Sequence, residues 1–175
     1  MNVLSLFDGI SCGQLALQRA GIQYDAYYSS EIDPYAIKVT QANFPKTIQL
    51  GSIDTVVGAD LPRIDLLIGG SPCQGFSTAG KMHGFNDPRS KLFFEYVRLL
   101  QECKPKYFLL ENVVMKKQDQ AVITNILGVE PVMINSNLVS AQNRKRLYWT
   151  NIPMNGLPQD RDRKSTRLNS SHTDI

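Results

Sequence analysis

Short apolar runs alternate with stretches of helical spacing along most of the chain, and this alternation constrains the fold more than any other feature. "NVLSLF" predicts a buried strand at the very start. "CGQLALQRAG" follows with Leu15, Leu17 and Ala20 at helical spacing, closed by Gly21. "YDAYYSSEI" predicts a second strand ending in an acid, and "PYAIKVTQANF" a helix with proline suited to its first turn. "IDLLIGG" is a third strand running into a glycine loop. "SKLFFEYVRLLQECK" is an amphipathic helix, with Leu92, Phe93, Tyr96, Leu99 and Leu100 near one face. "KYFLLENV" is a further strand, "QAVITNILGV" a helix, and "PVMINSNLV" and "KRLYWTNI" are late strands. Strands and helices in this order predict an α/β fold, doubly wound around a mostly parallel sheet. Ligands bind such sheets outside the carboxyl ends of the strands. The loops after Phe7, at Glu31, after Ile68 and at Glu111 are therefore expected on one rim.

Length and composition narrow the class. A chain of 175 residues, 42% hydrophobic and 20% charged, suits one soluble domain with its own core. No apolar run approaches the roughly 20 residues of a membrane span. "MNVLSLFDGI" lacks the basic start of a signal peptide, so a cytoplasmic setting without membrane contact is expected. Cys12, Cys73 and Cys103 form no CxxC pair, which argues against a disulfide framework and a zinc site; no metal is expected. The net charge of +3 permits nucleic-acid binding without demanding it.

Four local patterns carry chemistry. "FDGISCG" places Gly9 and Gly13 where the backbone can turn tightly and approach a ligand. Glu31, at the end of the second strand, is spaced to grip ribose hydroxyls, although a strand–helix turn with an incidental acid has the same appearance. The loop matches neither GxGxxG nor the P-loop pattern. "GGSPCQGFS" puts Cys73 just past the third strand; a thiolate there attacks electrophiles, whereas a buried thiol is merely a small apolar side chain. "ENV" sets Glu111 at the end of a nearly all-apolar strand, either to donate or share a proton or to cap the next helix. "QNRKRLYW" spaces Gln142, Arg144 and Arg146 at alternate positions, on one face of a strand. Arginines so placed hold carboxylates or phosphates, or simply charge an edge strand.

Together "LFDGISCG", "EID", "GGSPCQGFS", "DPRSKLFFEYVR", "ENV" and "QNRKRLYW" resemble, in order and approximate spacing, the cytosine-5 DNA methyltransferase family of bacterial and phage type, over about residues 3 to 153. The resemblance implies a Rossmann-like methyltransferase fold, S-adenosyl-L-methionine as methyl donor and double-stranded DNA with a flipped cytosine as acceptor. It also implies a monomer and no metal. Carbon 5 of cytosine is a poor nucleophile, and addition of the Cys73 thiolate to carbon 6 activates it. Glu111 would neutralise charge developing at ring nitrogen 3, with Arg146 and Arg144 holding the base. Carbon 5 then takes the donor's methyl group, and loss of its proton expels Cys73.

By the same resemblance, the donor is held by Phe7 on the adenine, by Asp8 and the Gly9–Gly13 loop near the methionine part, and by Glu31 on the ribose. Ile32 packs beside the adenine, and Leu92 lines the pocket. Where the family often has aspartate against the adenine amino group, this chain has Ser52 in "LGSID"; either Ser52 or Asp54 fills that role. Pro72 shapes the thiol loop. Gln74, Ser77, Arg89, Asn112 and Gln142 are expected against DNA or the flipped nucleotide.

Two alternatives share the fold: a donor- or DNA-binding module without catalysis, and a methyltransferase acting on amines or oxygens. Intact Cys73, Glu111 and Arg146 count against the first, and the second has no need of the proline–cysteine nucleophile. From about Asp160 the chain is polar and aperiodic, as in disordered segments, and Asp162 to His172 resembles the conceptual translation of a sequencing-library adapter. The expected organisation is a catalytic domain over residues 1–159, cut before the family's target-recognition region and final helix, and a foreign tail over 160–175. Little activity is expected of such a fragment.

Overall fold

The computed structural model describes residues 1–71 and 91–157. Strands and helices alternate as β1 (Asn2–Leu6), α1 (Cys12–Arg19), β2 (Ala26–Ser30), α2 (Pro34–Asn43), β3 (Ile48–Gln49), β4 (Leu66–Gly69), α3 (Lys91–Cys103), β5 (Tyr107–Val113), α4 (Lys117–Leu127), β6 (Val132–Asn135) and β7 (Lys145–Thr150). One sheet contains these strands in the order β3-β2-β1-β4-β5-β7-β6. The pairs among β1 to β5 are parallel, and β7 runs antiparallel to both of its neighbours. The doubly wound sheet is thus mostly parallel, with a single reversed strand.

Alternation along the strands sorts the core onto two faces. Leu4, Leu6, Leu67, Leu110, Leu147 and Trp149 pack against Phe93, Tyr96 and Leu99 of α3 and Ile123 of α4. Val3, Tyr27 and Leu66 face Leu17 of α1 on the other side. Trp149 is fully buried, and its indole N–H donates to Thr124 Oγ1 at 3.0 Å. Gly13 lies inside α1, not in the turn before it. A Cβ there would meet Ile68 Cδ1 at 2.5 Å and Tyr27 Oη at 2.7 Å, so its first consequence is close packing of helix on sheet.

Register brings the strand ends together. Leu6 pairs with Ser30 and with Gly69, and Gly69 pairs with Leu110. Phe7, Glu31 and Gly70 follow these strand ends, and Glu111 comes next after Leu110, still within β5 and paired with Tyr148 of β7, so the four gather at one end of the sheet.

Between β3 and β4 the chain makes two short 3-10 turns, Ile53–Thr55 and Gly58–Asp60. Ile53 and Val56 anchor this stretch in the core. Polar groups of α3 fasten it further: Arg98 Nη2 donates to the Ile53 carbonyl at 3.1 Å, and Gly58 N–H donates to Glu102 Oε2 at 2.8 Å. Arg98 also pairs with Glu95 at 2.7 Å and Glu102 at 2.9 Å, one turn away on either side.

The hydrogen bond from Arg98, and then that from Gly58 N–H, hold the Glu102 carboxyl below its ordinary range. A carboxyl lowered in the folded state contributes stability above its unfolded value and loses it as pH falls through the folded value. Glu102 is 35% exposed, so screening limits the gain to under about 1 kcal/mol. Glu102→Gln should therefore melt slightly below the wild type near neutrality. The gap should close as pH drops below the unfolded carboxylate value of about 4.3. Thermal melts of both proteins across that range check it; a constant gap refutes the linkage.

Candidate active site

Two groups of side chains occupy the shared edge. The first surrounds a cleft of about 230 Å³ lined by Phe7, Ser30, Glu31, Ile32, Gly51, Ser52, Ile53 and Leu92. Phe7 leaves β1 with φ 56°, a left-handed conformation, and Gly9 and Ser11 follow at φ 59° and 61°. This tight loop turns Gly9 N–H onto Glu31 Oε2 at 2.7 Å. Glu31 Oε1 accepts from Ile32 N–H at 2.8 Å and Asp33 N–H at 2.9 Å. A carboxylate has about four acceptor positions, so roughly one remains on Glu31 for an incoming hydroxyl. Asp33 caps α2 by accepting from Tyr35 N–H at 2.8 Å and Ala36 N–H at 3.3 Å. Ile32, at 72% exposed, offers a bare apolar wall. Leu92, in the first turn of α3, and Ser52 and Ile53 complete the lining.

Asp8, expected at the donor, turns its carboxylate inward. Oδ1 accepts from Ser5 Oγ at 2.5 Å and Tyr27 Oη at 2.8 Å, and Oδ2 from Ser29 Oγ at 3.0 Å and from Ser11 Oγ. It organises the loop. Burial, and then the Asp8 charge, push the Tyr27 phenol far above its ordinary value, so Tyr27 remains a donor. Ser52 and Asp54 also divide their roles. Ser52 lines the cleft, whereas Asp54 is fully exposed; a hydrogen bond with the Ser52 side chain is the first cause holding the Asp54 carboxyl below its ordinary range.

The second group gathers on Glu111. Arg146 Nε lies 2.8 Å from Glu111 Oε1, and Arg144 Nη2 lies 3.8 Å from the same oxygen. Tyr148 stands directly across from Glu111 in the β5–β7 register. Burial, and then the Glu111 charge, raise the Tyr148 phenol above its ordinary value. Gly70 leaves room for the carboxylate, since a Cβ there would lie 3.1 Å from Glu111 Oε2.

Two members of the expected DNA-facing set differ from the sequence reading. Asn112 is only 2% exposed, and its Nδ2 donates to the Ser71 carbonyl at 3.3 Å. It ties the exit of β4 to β5 instead of facing outward. Gln142 is exposed but precedes β7, as does Arg144, so the shared strand face reaches only Arg146. Asn135 interrupts the regular pattern here: its side chain accepts from Asn137 N–H at 3.3 Å and Arg144 N–H at 3.0 Å. Pro72, Cys73, Gln74, Ser77 and Arg89, like the tail from residue 160, lie outside the described residues.

The profile of the C-5 cytosine-specific DNA methylase family matches residues 1–170. The chain belongs to this family. Among curated relatives, the orphan methyltransferase M.SPRI of Bacillus phage SPR is 38% identical over 165 residues, covering 87% of this chain and 38% of the relative. The type II methyltransferase M1.ScrFI of Lactococcus lactis subsp. cremoris is 40% identical over 158 residues, covering 84% of this chain and 40% of the relative. The chain thus spans less than half the length of these curated relatives. Among solved structures, the S. pombe Dnmt2 methyltransferase aligns with TM-score 0.71 at 25% identity, covering 86% of this chain and 50% of that one. A putative DNA modification methyltransferase from an E. coli prophage aligns with TM-score 0.68 at 27% identity, covering 86% and 46%.

In this chain the expected donor residues Phe7, Glu31, Ile32, Ser52 and Leu92 come together around one cleft. Glu111, Arg144 and Arg146 come together a few strands along the same edge. Ser30, Gly51 and Ile53 also line the cleft, and Tyr148 and Gly70 shape the Glu111 group. The sequence marked Ser30 and Gly51 only as neighbours of Glu31 and Ser52; Tyr148 was detectable in "QNRKRLYW" as the next same-face position after Arg146.

Proposed function

We propose that this chain is the N-terminal catalytic portion of an enzyme that transfers a methyl group from S-adenosyl-L-methionine to carbon 5 of cytosine in DNA, through an adduct at Cys73. The observation that carries the reading is the Glu111–Arg146 pair on the same sheet edge as the Phe7–Glu31 cleft. The cleft fits a nucleoside: Phe7, Ile32 and Leu92 suit a flat base, and the free acceptor position of Glu31 suits a ribose hydroxyl. Its volume is below the ~300 Å³ of a pocket that encloses a whole drug-sized ligand, which matches the adenosine end alone. The bound donor supplies an electrophilic methyl group. Ser52 lines the cleft, and its hydroxyl can accept from the adenine amino group.

At the other group, Arg146 orients the Glu111 carboxyl for ring nitrogen 3, where it holds the proton that balances charge as Cys73 adds to carbon 6. Asn112 fixes the exit of β4 two residues before that cysteine. The cytosine must leave the stack to reach these groups, at a cost of a few kcal/mol. Exposed Lys116, Lys117 and Lys145 beside this edge suit DNA phosphates. We place the protein, as a monomer, in the cytoplasm of a bacterium, host- or phage-encoded. The relatives' greater length supports a missing recognition portion, because positioning supplies much of a catalyst's power.

The purified chain should bind S-adenosyl-L-methionine by titration calorimetry, and Glu31→Ala should weaken binding about tenfold or more, the worth of one charged hydrogen bond. Alone it should transfer little methyl to cytosine-rich duplex DNA; robust transfer would overturn the reading as a portion. A full-length protein carrying it should form a covalent adduct with DNA containing 5-fluorocytosine, since fluorine at carbon 5 cannot leave as a proton does. Cys73→Ser should form none, and an undiminished adduct in that variant would refute the nucleophile assignment.

A further inference from the structure

One wall of the cleft belongs to neither a strand nor an α-helix. Gly51, Ser52 and Ile53 line it and lie between β3 and β4, on the stretch that makes the two 3-10 turns. Leu92, which also lines the cleft, is part of α3. Two polar ties fasten this stretch to that helix. The guanidinium of Arg98, braced between Glu95 and Glu102, reaches the Ile53 carbonyl at 3.1 Å. Glu102 then accepts from Gly58 N–H at 2.8 Å. Gly58 permits the approach, because a Cβ there would lie 2.7 Å from Glu102 Cβ. Arginine is required for the first tie, since its fork bonds both acids and the carbonyl at once, which an ammonium on a flexible stem cannot do.

We propose that Arg98 and Glu102 are positioning residues for donor binding: they hold Gly51–Ile53 at a fixed distance from Leu92 and so set the width of the cleft. This rests on the reading of the cleft as the donor site. Neither residue lines the cleft; Arg98 acts through the Ile53 carbonyl, and Glu102 through Gly58 N–H and by bracing Arg98.

Calorimetry on the whole chain tests it. Arg98→Ala should raise the dissociation constant for S-adenosyl-L-methionine about tenfold, equivalent to about 1.4 kcal/mol. Arg98→Lys, which keeps the charge beside Glu95 and Glu102, should retain the melting temperature and still lose most of that affinity. Glu102→Gln, whose amide oxygen can still accept from Gly58 N–H, should lose less than Glu102→Ala. A double-mutant cycle separates positioning from general loosening. The penalty of Ser52→Ala should largely vanish in the Arg98→Ala background, whereas that of Glu31→Ala, which neither tie touches, should persist in full. Donor affinity unchanged in both Arg98 variants, or simple additivity with Ser52→Ala, overturns this inference alone. Absence of donor binding by the unaltered chain overturns the reading of the cleft and this inference with it.

Discussion

Replacing Glu111 with alanine or glutamine is expected to slow methyl transfer by a full-length protein carrying this chain about 100- to 10,000-fold, the usual weight of a general acid–base group. The fold should survive. Glu111 sits half-buried in β5, two residues before the strand ends at Val113, and its loss frees Arg146, which keeps a bond from Nη1 to the Lys145 carbonyl at 2.8 Å. Its ion pairs with Arg146 and the more distant Arg144 are partly screened, so the stability cost should be about 1 kcal/mol. Glutamine preserves the shape over Gly70 and can still meet a ring nitrogen, but it cannot take up and release the proton. The two variants should therefore lose similar amounts of rate if proton transfer dominates. Glutamine should recover a large part if hydrogen bonding alone matters. Donor affinity should stay near wild type in both, because the Phe7–Glu31 cleft is a separate group along the edge. Single-turnover transfer to duplex DNA, with calorimetry of donor binding beside it, measures both quantities. A rate loss of less than tenfold would remove Glu111 from the chemistry.

The parts of this site that could be read in the sequence are those that follow from local pattern. Strand–helix alternation predicted the sheet, and parallel strands place their ends on one edge, so the common rim of Phe7, Glu31, Gly70 and Glu111 followed. Strand direction is not encoded in an apolar run, and nothing in "KRLYWTNI" announces that β7 runs backwards. β3, at two residues, is too short to show a period. Asn112 and Gln142 look alike as polar residues in family motifs; tertiary packing buries one against Ser71 and leaves the other in a loop. Arg98, Glu95 and Glu102 read as the polar side of an amphipathic helix, and only the return of the 53–60 stretch gives that side a task. Asp8 was expected at the donor only because the resemblance carries it there as part of "LFDGISCG". Its four hydroxyl partners come from β1, β2 and α1's N-terminal turn, and no single stretch of sequence contains them.

Asp8→Ala should accordingly be among the most destabilising single changes in the chain, by about 3–5 kcal/mol, because it strands several buried donors at once. Ser5, Ser11, Ser29 and Tyr27 are all essentially inaccessible to water. The loop they hold is itself unfavourable: Phe7 and Ser11 are both left-handed, a conformation that costs a non-glycine residue about 1–2 kcal/mol. With the carboxylate gone, the backbone has no reason to keep that shape, and Gly9 N–H leaves Glu31. The proposed donor cleft should then fail even in molecules that remain folded. Asp8→Asn distinguishes charge from bond count. Its amide oxygen replaces one carboxylate oxygen directly. Its amino group opposes the other two hydroxyls, which can turn to accept from it. Asparagine should therefore cost about 1–2 kcal/mol, roughly one imperfect hydrogen bond, and retain measurable donor binding. Denaturant unfolding of the two variants gives the stabilities, and calorimetry gives the donor affinity. If Asp8→Ala unfolds within 1 kcal/mol of the wild type, the carboxylate is not what holds the loop, and the left-handed turn must be stabilised by the packing of α1 through Gly13 instead.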